Sequence, residues 1–433
     1  MVLRLGEVPT LVVSSREAAC EVMKTHDRKF ATRPLSATMR VLTNGGRDLA
    51  FAPYGEYWRQ LRKIAVTELF TARRVLSFRA VRAEEVAAML GGIAETAAAK
   101  RPVEMRARLS SFIFDSTVRA VMGDRFEERE GFLRALDRSV KLAAGFNPPD
   151  LWPSSRLAGW ISGAVRCAKE CRGMGNDTLD AIIQDHLERM EEEGHAEDLL
   201  DVLLRIQKEG TMEFHLDTDA IQSVIFEIFG AGSETATTTL EWAVAELIKN
   251  PKVMHKATAE VRRVMEARRT VAEDALGELH YLRLVVRETL RLHPPLPLLL
   301  PRECQEPCQV LGYDVPRGMQ VLVNAWALGR DDHYWNTPDE FRPERFQGEA
   351  AAVDDFRGMD FAFLPFGAGR RMCPGMAFAL ANIELPLAGL LLHFDWEGPP
   401  PEELDMSEEF GLTARRKGDL LLLPVLRLPV PAA

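Results

Sequence analysis

The longest periodic run of apolar residues extends from Asp217 to Asn250 and predicts one helix that crosses the domain. At 1.5 Å per residue such a helix would be roughly 50 Å long. Pro251 closes it, because a proline disfavours helical geometry in the residue before it. The same periodicity predicts further helices at Ala18–Thr25, Glu56–Lys63, Ser77–Ala99, Leu109–Met122, Phe132–Ala144, Leu157–Met190, Tyr281–His293 and from Cys373 to about His393.

Strand patterns are short and few. They predict strands at Leu3–Leu5, Thr10–Val13, Cys308–Leu311, Gln320–Asn324 and within 411–428. Phe30–Gly55 is rich in turn residues and predicts a long loop with a short helix near Ser36–Leu42, and the acidic segment Glu191–Asp198 predicts a connector. The expected class is mainly α with minor antiparallel β sheets, in a single large domain without repeats.

Composition narrows the function classes. The 433 residues include 54 basic and 64 acidic side chains, a net charge of −10, so nucleic-acid binding has no global electrostatic support. No run of eighteen consecutive apolar residues occurs, which predicts no membrane-spanning helix. The six cysteines include no Cys-x-x-Cys pair, and free thiols in a reducing compartment are expected.

One of these cysteines, Cys373, stands in the Gly-rich and Arg-rich stretch Pro365–Gly375. Pro374 follows it, which predicts that the sulfur lies at a helix N-terminus, since proline is favoured in a first helical turn. Backbone amides and the helix dipole would stabilise a thiolate there, as a metal ligand or a nucleophile. The alternative is a buried cysteine beside a Gly-rich turn.

The middle of the central helix carries Phe229-Gly-Ala-Gly-Ser-Glu-Thr-Ala236. Each glycine inside a helix costs about 1 kcal/mol relative to alanine, so some feature must require them. A flat object packed against the helix, a local opening of the helix, or a tight helix crossing would each do so. Glu234 and Thr235 add an acid and a hydroxyl beside these glycines.

Two further pairs of residues have the spacing of neighbours on one helix face. Trp58 and Arg62 are four residues apart and share a helix face, as would any amphipathic surface pair. Glu288 and Arg291 are three apart, and Phe341-Arg-Pro-Glu-Arg-Phe346 follows downstream with Arg345 inside it.

Taken together, these motifs resemble those of one family. Phe366, Gly369, Arg371, Cys373 and Gly375 have the spacing of the haem-binding loop of the cytochromes P450, and the other motifs occur in that family's order. The resemblance covers nearly the whole chain and is strongest to plant microsomal members. It implies the cytochrome P450 fold, with 1–433 as one catalytic domain and without the N-terminal membrane anchor, Pro-rich hinge and first helix of such enzymes.

The resemblance also implies roles for individual residues. The cofactor would be haem b, with the Cys373 thiolate as the iron ligand and Phe366 and Gly375 shaping the loop around it. Trp58, Arg62, Arg302 and Arg371 would hold the haem carboxylates. Oxygen would bind beside Ala231 and Gly232, while Glu234 and Thr235 relay protons. Glu288, Arg291 and Arg345 would form a structural network.

The implied function is a monooxygenase that inserts one atom of O2 into a lipophilic small molecule, with a terpenoid of plant specialised metabolism as the first expectation. Electrons would come from NADPH–cytochrome P450 reductase, with cytochrome b5 as a second donor, at a basic face near Lys63, Arg73 and Arg74. The enzyme would be monomeric, at the cytosolic face of the endoplasmic reticulum membrane. Without its anchor this chain would be soluble or peripherally bound.

Two alternatives stay open on the sequence. One is a haem-thiolate isomerase or dehydratase that uses no O2, although such relatives tend to lack the acid–alcohol pair Glu234–Thr235. The other is an inactive truncated remnant, because the lost N-terminal segments would remove core contacts. In that case folding would fail although the motifs are intact.

Overall fold

The computed structural model describes the chain except residues 125, 127–128, 190–196, 211–215, 349–355, 357, 410 and 432–433. Most of the connector predicted at Glu191–Asp198 therefore lies outside the described residues. The α-helices are α1 (Arg16–Cys20), α2 (Ala37–Leu42), α3 (Glu56–Ile64), α4 (Ala72–Ser77), α5 (Arg79–Ala98), α6 (Met105–Met122), α7 (Arg129–Ala143), α8 (Pro148–Leu151), α9 (Arg156–Ser162), α10 (Ala164–Arg189), α11 (Leu199–Glu209), α12 (Thr218–Lys249), α13 (Pro251–Met265), α14 (His280–Leu292), α15 (Ala325–Leu328) and α16 (Met376–His393). π-Helical turns, Glu21–Thr25 and Ala65–Leu69, extend α1 and α3.

The strands are short and peripheral: β1 (Val2–Leu5), β2 (Val8–Val13), β3 (Val103–Glu104), β4 (Arg302–Glu303), β5 (Cys308–Val310), β6 (Tyr313–Val315), β7 (Gln320–Val323), β8 (Phe394–Glu397), β9 (Glu408–Glu409), β10 (Arg415–Arg416) and β11 (Leu421–Leu426). They form sheets in the orders β1-β2-β7-β4, β3-β11-β8, β5-β6 and β10-β9. All pairings are antiparallel except β2 with β7, which is parallel. The mainly helical, single-domain class expected from the sequence is confirmed.

The central helix α12 organises the core. Asp217 caps it, its side chain accepting the Ala220 N–H at 2.9 Å. The N-terminal half packs into one hydrophobic cluster together with α7 and α11, and the C-terminal half packs into another together with α14 and α16. Residues 230–235 lie between the two clusters, so the middle of the helix is left to face a cavity.

Two helix predictions need correction. The pattern over Leu157–Met190 is two helices, α9 and α10, because Gly163 between them adopts a positive φ of 64° and ends α9. The helix after Cys373 begins only at Met376, so Pro374 precedes its first turn. This helix, α16, has the length and apolar composition to cross a membrane, but 67% of it is buried inside the protein. It is a core helix here.

Candidate functional site

A cavity lies between the middle of α12, the start of α16, α3 and the stretch Pro365–Gly375. Its empty volume, counted out to its opening into solvent, is about 1500 Å³. The residues expected at the site that line it are Trp58, Arg62, Ala231, Gly232, Thr235, Arg302, Phe366, Arg371, Cys373 and Gly375. Segments more than 300 residues apart in sequence thus meet around one space.

The cysteine stretch is a tight turn that only glycine permits at two positions. Gly367 and Gly369 have φ of 71° and 69°, which L side chains rarely adopt. A side chain at Gly369 would also collide with the Met23 carbonyl oxygen and the Asp27 carboxylate. The turn closes where the Cys373 N–H donates to the Phe366 carbonyl at 2.9 Å. It leaves the cysteine side chain at the cavity wall.

The Cys373 thiol is not preset as a thiolate. Burial raises its pKa, while the Gly375 N–H and the Arg62 guanidinium lower it without reversing the shift. The expectation of a thiolate stabilised by a helix N-terminus is therefore too strong, because the helix starts three residues later. A metal ion would change the balance, since coordination displaces the thiol proton outright.

Arg371 and Trp58 form one wall of the cavity. The Arg371 guanidinium lies 4.3 Å from the centre of the Trp58 ring and donates to the carbonyls of Ala31 at 2.6 Å and Leu49 at 3.2 Å. The Trp58 indole N–H donates to the same Leu49 carbonyl at 3.0 Å. Trp58 therefore stacks on an arginine, and its hydrogen-bond donor, the indole N–H, is already bound within the protein.

A further cavity arginine, Arg33, was not predicted from the sequence. It is buried and donates to the carbonyls of Leu300 at 2.6 Å and Pro301 at 2.9 Å, and burial lowers its pKa. A single arginine in an aperiodic loop belongs to no periodic pattern or longer motif. The Arg33-Pro34 dipeptide was the one local sequence feature that could have indicated it.

The charges around the cavity fit a cofactor with carboxylate groups. Among the described residues four arginines line it, Arg33, Arg62, Arg302 and Arg371, and only Arg302 has an ion pair, with Asp27 at 3.3 Å. The Arg62 guanidinium has neither a hydrogen bond nor an ion pair within the described part of the chain, and that of Arg33 bonds only neutral carbonyls there. Buried cations need counter-charges. A haem, with two carboxylates and an iron for the Cys373 sulfur, matches this donor set.

The central helix stays regular past its glycines, so the local opening, one of the three features that could require them, is not present. A Cβ on Gly230 or Gly232 would meet its nearest neighbour at 3.9 and 3.8 Å, which is ordinary contact. A tight helix crossing therefore does not explain them, whereas Gly232 lines the cavity. The Thr235 hydroxyl donates to the Ala231 carbonyl at 2.7 Å, which leaves its oxygen free to accept from the cavity side.

Glu234 does not line the cavity in the described structure, although the sequence suggested that it would act there. Its Oε1 accepts from Arg415 at 2.6 Å, Thr413 at 3.0 Å, Arg106 at 3.1 Å and Thr238 at 3.1 Å. These partners bring together α6, α12 and the segment leading into β10. Adjacent helical residues point about 100° apart. Thr235 therefore faces the cavity while Glu234 faces this ion-pair network.

The predicted network of Glu288, Arg291 and Arg345 lies away from the cavity. Arg291 donates twice to Glu288, each at 2.8 Å, and Arg345 Nε donates to Glu288 Oε1 at 2.8 Å. Glu288 and Arg291 are fully buried. Both arginines also bind backbone carbonyls of the segment 336–340.

Two carboxyl groups that no sequence motif indicated complete the site. Glu227 lines the cavity one turn before Ala231, and Asp48 is buried beside it. Burial and the neighbouring Asp48 raise the pKa of Glu227 to about 8, and burial raises the pKa of Asp48 to about 7.

Comparisons with known proteins agree with this geometry. A family model described as Cytochrome P450 matches residues 1–423. Desmethyl-deoxy-podophyllotoxin synthase of Sinopodophyllum hexandrum is 46% identical over 98% of this chain and 84% of its own length. Dolabradiene monooxygenase of Zea mays is 46% identical over 100% of this chain and 86% of its own length. A solved zebra fish cytochrome P450, in a structure with abiraterone, has a TM-score of 0.82 at 28% identity and covers 99% of this chain and 96% of that chain.

Proposed function

The chain belongs to the cytochrome P450 family, and from that premise we propose that Cys373 is its iron ligand and that its substrate is a terpenoid. Membership makes it a haem-thiolate monooxygenase that uses O2 and acts on lipophilic small molecules, as its plant relatives are named to do. The proposal is carried by one observation. A single cysteine sulfur and four arginines project into the same largely apolar cavity.

When bound, the haem supplies the activation of O2 and the transfer of one oxygen atom to a C–H bond. The chain's own residues hold and shield it. Cys373 would give its sulfur to the iron, and the Gly375 amide would moderate the electron density on that sulfur. Arg33, Arg62, Arg302 and Arg371 would hold the two haem carboxylates by charge-assisted hydrogen bonds.

Thr235 is the residue proposed to handle protons at the cavity wall. Its hydroxyl hydrogen is committed to the Ala231 carbonyl, so its oxygen can accept a hydrogen bond from a water in the cavity. The water is thereby held so that it can donate one of its protons to the reacting oxygen. Glu234 adds to this relay only after leaving its arginine partners.

Removing the Thr235 hydroxyl should separate electron use from product formation. In Thr235→Val we expect NADPH consumption to continue while product per NADPH falls about tenfold, since general-acid groups contribute at least that much. Product and peroxide would be measured against NADPH consumed. Thr239→Val is the matched control, because its hydroxyl makes the same kind of bond to a helix carbonyl, that of Thr235, but Thr239 is buried and lies one turn further along α12. Unchanged coupling in Thr235→Val would remove Thr235 from the relay.

The terpenoid assignment is supported by the apolar part of the cavity wall. The aliphatic side chains that line it are Leu49, Leu69, Val224, Ile228, Leu290, Leu296, Leu299, Leu300 and Ile383. Such a wall suits a hydrocarbon skeleton with few polar groups. The relative from maize named for a diene, at 46% identity, supports the same class.

The direct test is turnover of a panel of terpene hydrocarbons with NADPH, O2 and a plant reductase. The expected result is a hydroxylated product that requires both NADPH and O2, from protein whose reduced CO complex shows the thiolate-type band. Product formed without NADPH and O2 would favour the isomerase or dehydratase alternative. Failure of the haem-supplemented protein to give the thiolate band would favour the inactive remnant.

We further propose that the electron donor is NADPH–cytochrome P450 reductase, with cytochrome b5 as a second donor, docking near α3 and α4. Lys63 and Arg73 are exposed there, whereas Arg74 is paired with Glu197 at 2.8 Å. Exposed cations attract an acidic partner surface and accelerate association at low salt. Reduction by the reductase should therefore slow as ionic strength rises.

The proposed location is the cytosolic face of the endoplasmic reticulum membrane, with α9 touching the lipid. Trp160 is 82% exposed, and Leu157 and Ile161 beside it are also exposed. The turn between β1 and β2 adjoins α8, as the Glu7 N–H donates to the Leu151 carbonyl at 2.7 Å. An amphipathic surface of this kind binds the membrane interface.

The double variant Trp160→Ser/Ile161→Ser should bind lipid vesicles at least about tenfold more weakly than the parent, because burying two such side chains is worth roughly 1.5–3 kcal/mol each. Binding would be measured by co-sedimentation with phosphatidylcholine vesicles. Tyr313→Ser serves as control, since Tyr313 is similarly exposed on β6. Equal sedimentation of all three proteins would contradict a lipid contact at α9.

A further inference from the structure

Glu227 is tied to a short loop rather than pointing freely into the cavity. The Leu49 N–H donates to Glu227 Oε2 at 2.6 Å, and the Ala50 N–H also binds this carboxylate. The next two amides of the same loop, those of Phe51 and Ala52, bind Asp48, the first at 2.7 Å. The N–H groups of residues 49–52 are therefore bound by two carboxyls, those of Glu227 and Asp48. Residues 48–52 are here called the arginine loop.

The carbonyls of the arginine loop point the other way and hold cavity arginines. Arg371 donates to the carbonyls of Leu49 and Ala50, each at 3.2 Å, and to that of Ala52. Arg33 donates to the Ala50 carbonyl at 3.3 Å. The Leu49–Ala50 peptide, whose carbonyl receives Arg371, is thus oriented by Glu227 through the Ala50 N–H, and Glu227 stands on the central helix. The Ala50–Phe51 peptide, whose carbonyl receives Arg33, is oriented by Asp48 instead.

We propose that Glu227 is a positioning residue that fixes the first peptide of the arginine loop and so aims Arg371 at the haem carboxylates. The inference rests on the proposed function, because it assumes that Arg371 meets haem. Glu227 lies eight residues before Thr235 on α12, about 12 Å along the helix axis at 1.5 Å per residue. It therefore connects the helix that carries Thr235 to the loop that holds Arg371.

The charges around Glu227 favour this role over direct binding of the substrate. The groups that bear on its carboxyl are Asp48, the Leu49 and Ala50 amides of the arginine loop, and Arg371 from the turn before α16. The charged or titratable groups near Glu227 and Asp48 are Arg33, Arg62, Arg172, Arg371, Tyr57 and Cys373. Most are arginines, and the two amides already bind the Glu227 carboxyl, so this group is placed to orient the loop that holds Arg371.

The test compares haem retention in the parent, Glu227→Ala and Glu227→Gln, each purified as the haem protein. Transfer of ferric haem to excess apomyoglobin would be followed by absorbance. Glu227→Ala should release haem about tenfold faster, since it frees two amides and loosens the charge-assisted contact of Arg371. Glu227→Gln keeps one acceptor and should lie between. Thr239→Val, on the same helix and cavity wall, should match the parent.

A general loss of structure would also speed haem release, so the decisive arm uses haem dimethyl ester. The ester lacks the carboxylates that the arginines hold, and each protein would be reconstituted with it. We expect the parent to release the ester faster than haem, and the parent and Glu227→Ala to release it at equal rates. A tenfold difference that persists with the ester would reduce Glu227 to a fold-stabilising residue and overturn the proposal, as would equal haem release from parent and Glu227→Ala. A parent without a thiolate-type CO band would instead overturn the proposed function.

Discussion

Replacing Cys373 with serine should abolish both the thiolate-type CO band and monooxygenase turnover. The sulfur is the cysteine side chain at the cavity wall, facing the space bounded by Gly232, Phe366 and the arginines. A serine hydroxyl has a far higher pKa than a thiol and donates much less electron density to iron. The push that favours cleavage of the O–O bond would therefore be lost, and product should fall below detection. Difference spectroscopy and product analysis would be run on the same preparation.

Cys20→Ser is the matched control for this experiment. Cys20 ends α1 and is half-buried, and it does not line the cavity in the described structure. It should keep both the band and the activity. Because serine is slightly smaller than cysteine and the turn is fixed by Gly367 and Gly369, Cys373→Ser should still fold and bind haem by its carboxylates. Sustained hydroxylation by Cys373→Ser would show that another residue holds the iron.

The central helix could be predicted almost to the residue, since the structure begins it at Thr218 and ends it at Lys249. Its apolar pattern is long, and both ends carry local stop signals in Asp217 and Pro251. The boundary inside Leu157–Met190 was missed because glycine breaks a helix only where its backbone takes a positive φ, as Gly163 does. The periodicity of apolar residues does not indicate whether a glycine takes a positive φ.

The residues of the cavity were predicted where they belonged to long motifs and missed where they stood alone. Arg33 and Asp48 lie in an aperiodic loop, and Glu227 looks like any polar residue of a long helix. The surroundings of Glu234 were missed for a different reason. Its partners Arg106 and Arg415 lie 128 and 181 residues away along the chain, so only the tertiary structure brings them together. A motif thus identified the acid without indicating which way it points.

Glu288→Ala should leave little folded haem protein, because Glu288 is the carboxylate that binds both Arg291 and Arg345. Removing one partner of a buried ion pair leaves an uncompensated charge and costs about 3–5 kcal/mol. That is a large share of the roughly 5–15 kcal/mol by which native proteins are stable. Urea unfolding followed by circular dichroism, together with the haem content of purified protein, would measure the loss.

Glu344→Ala makes the control, since Glu344 lies in the same Pro343–Phe346 segment but pairs with the exposed Lys256 at the surface. A surface pair is worth about 0–1 kcal/mol, so its urea midpoint should stay near that of the parent. Glu288→Gln keeps oxygen and volume but not charge, and it should fall between the two. If Glu288→Ala unfolded at the midpoint of Glu344→Ala with full haem content, the network would be dispensable. The backbone carbonyls of 336–340 would then be sufficient to hold Arg291 and Arg345.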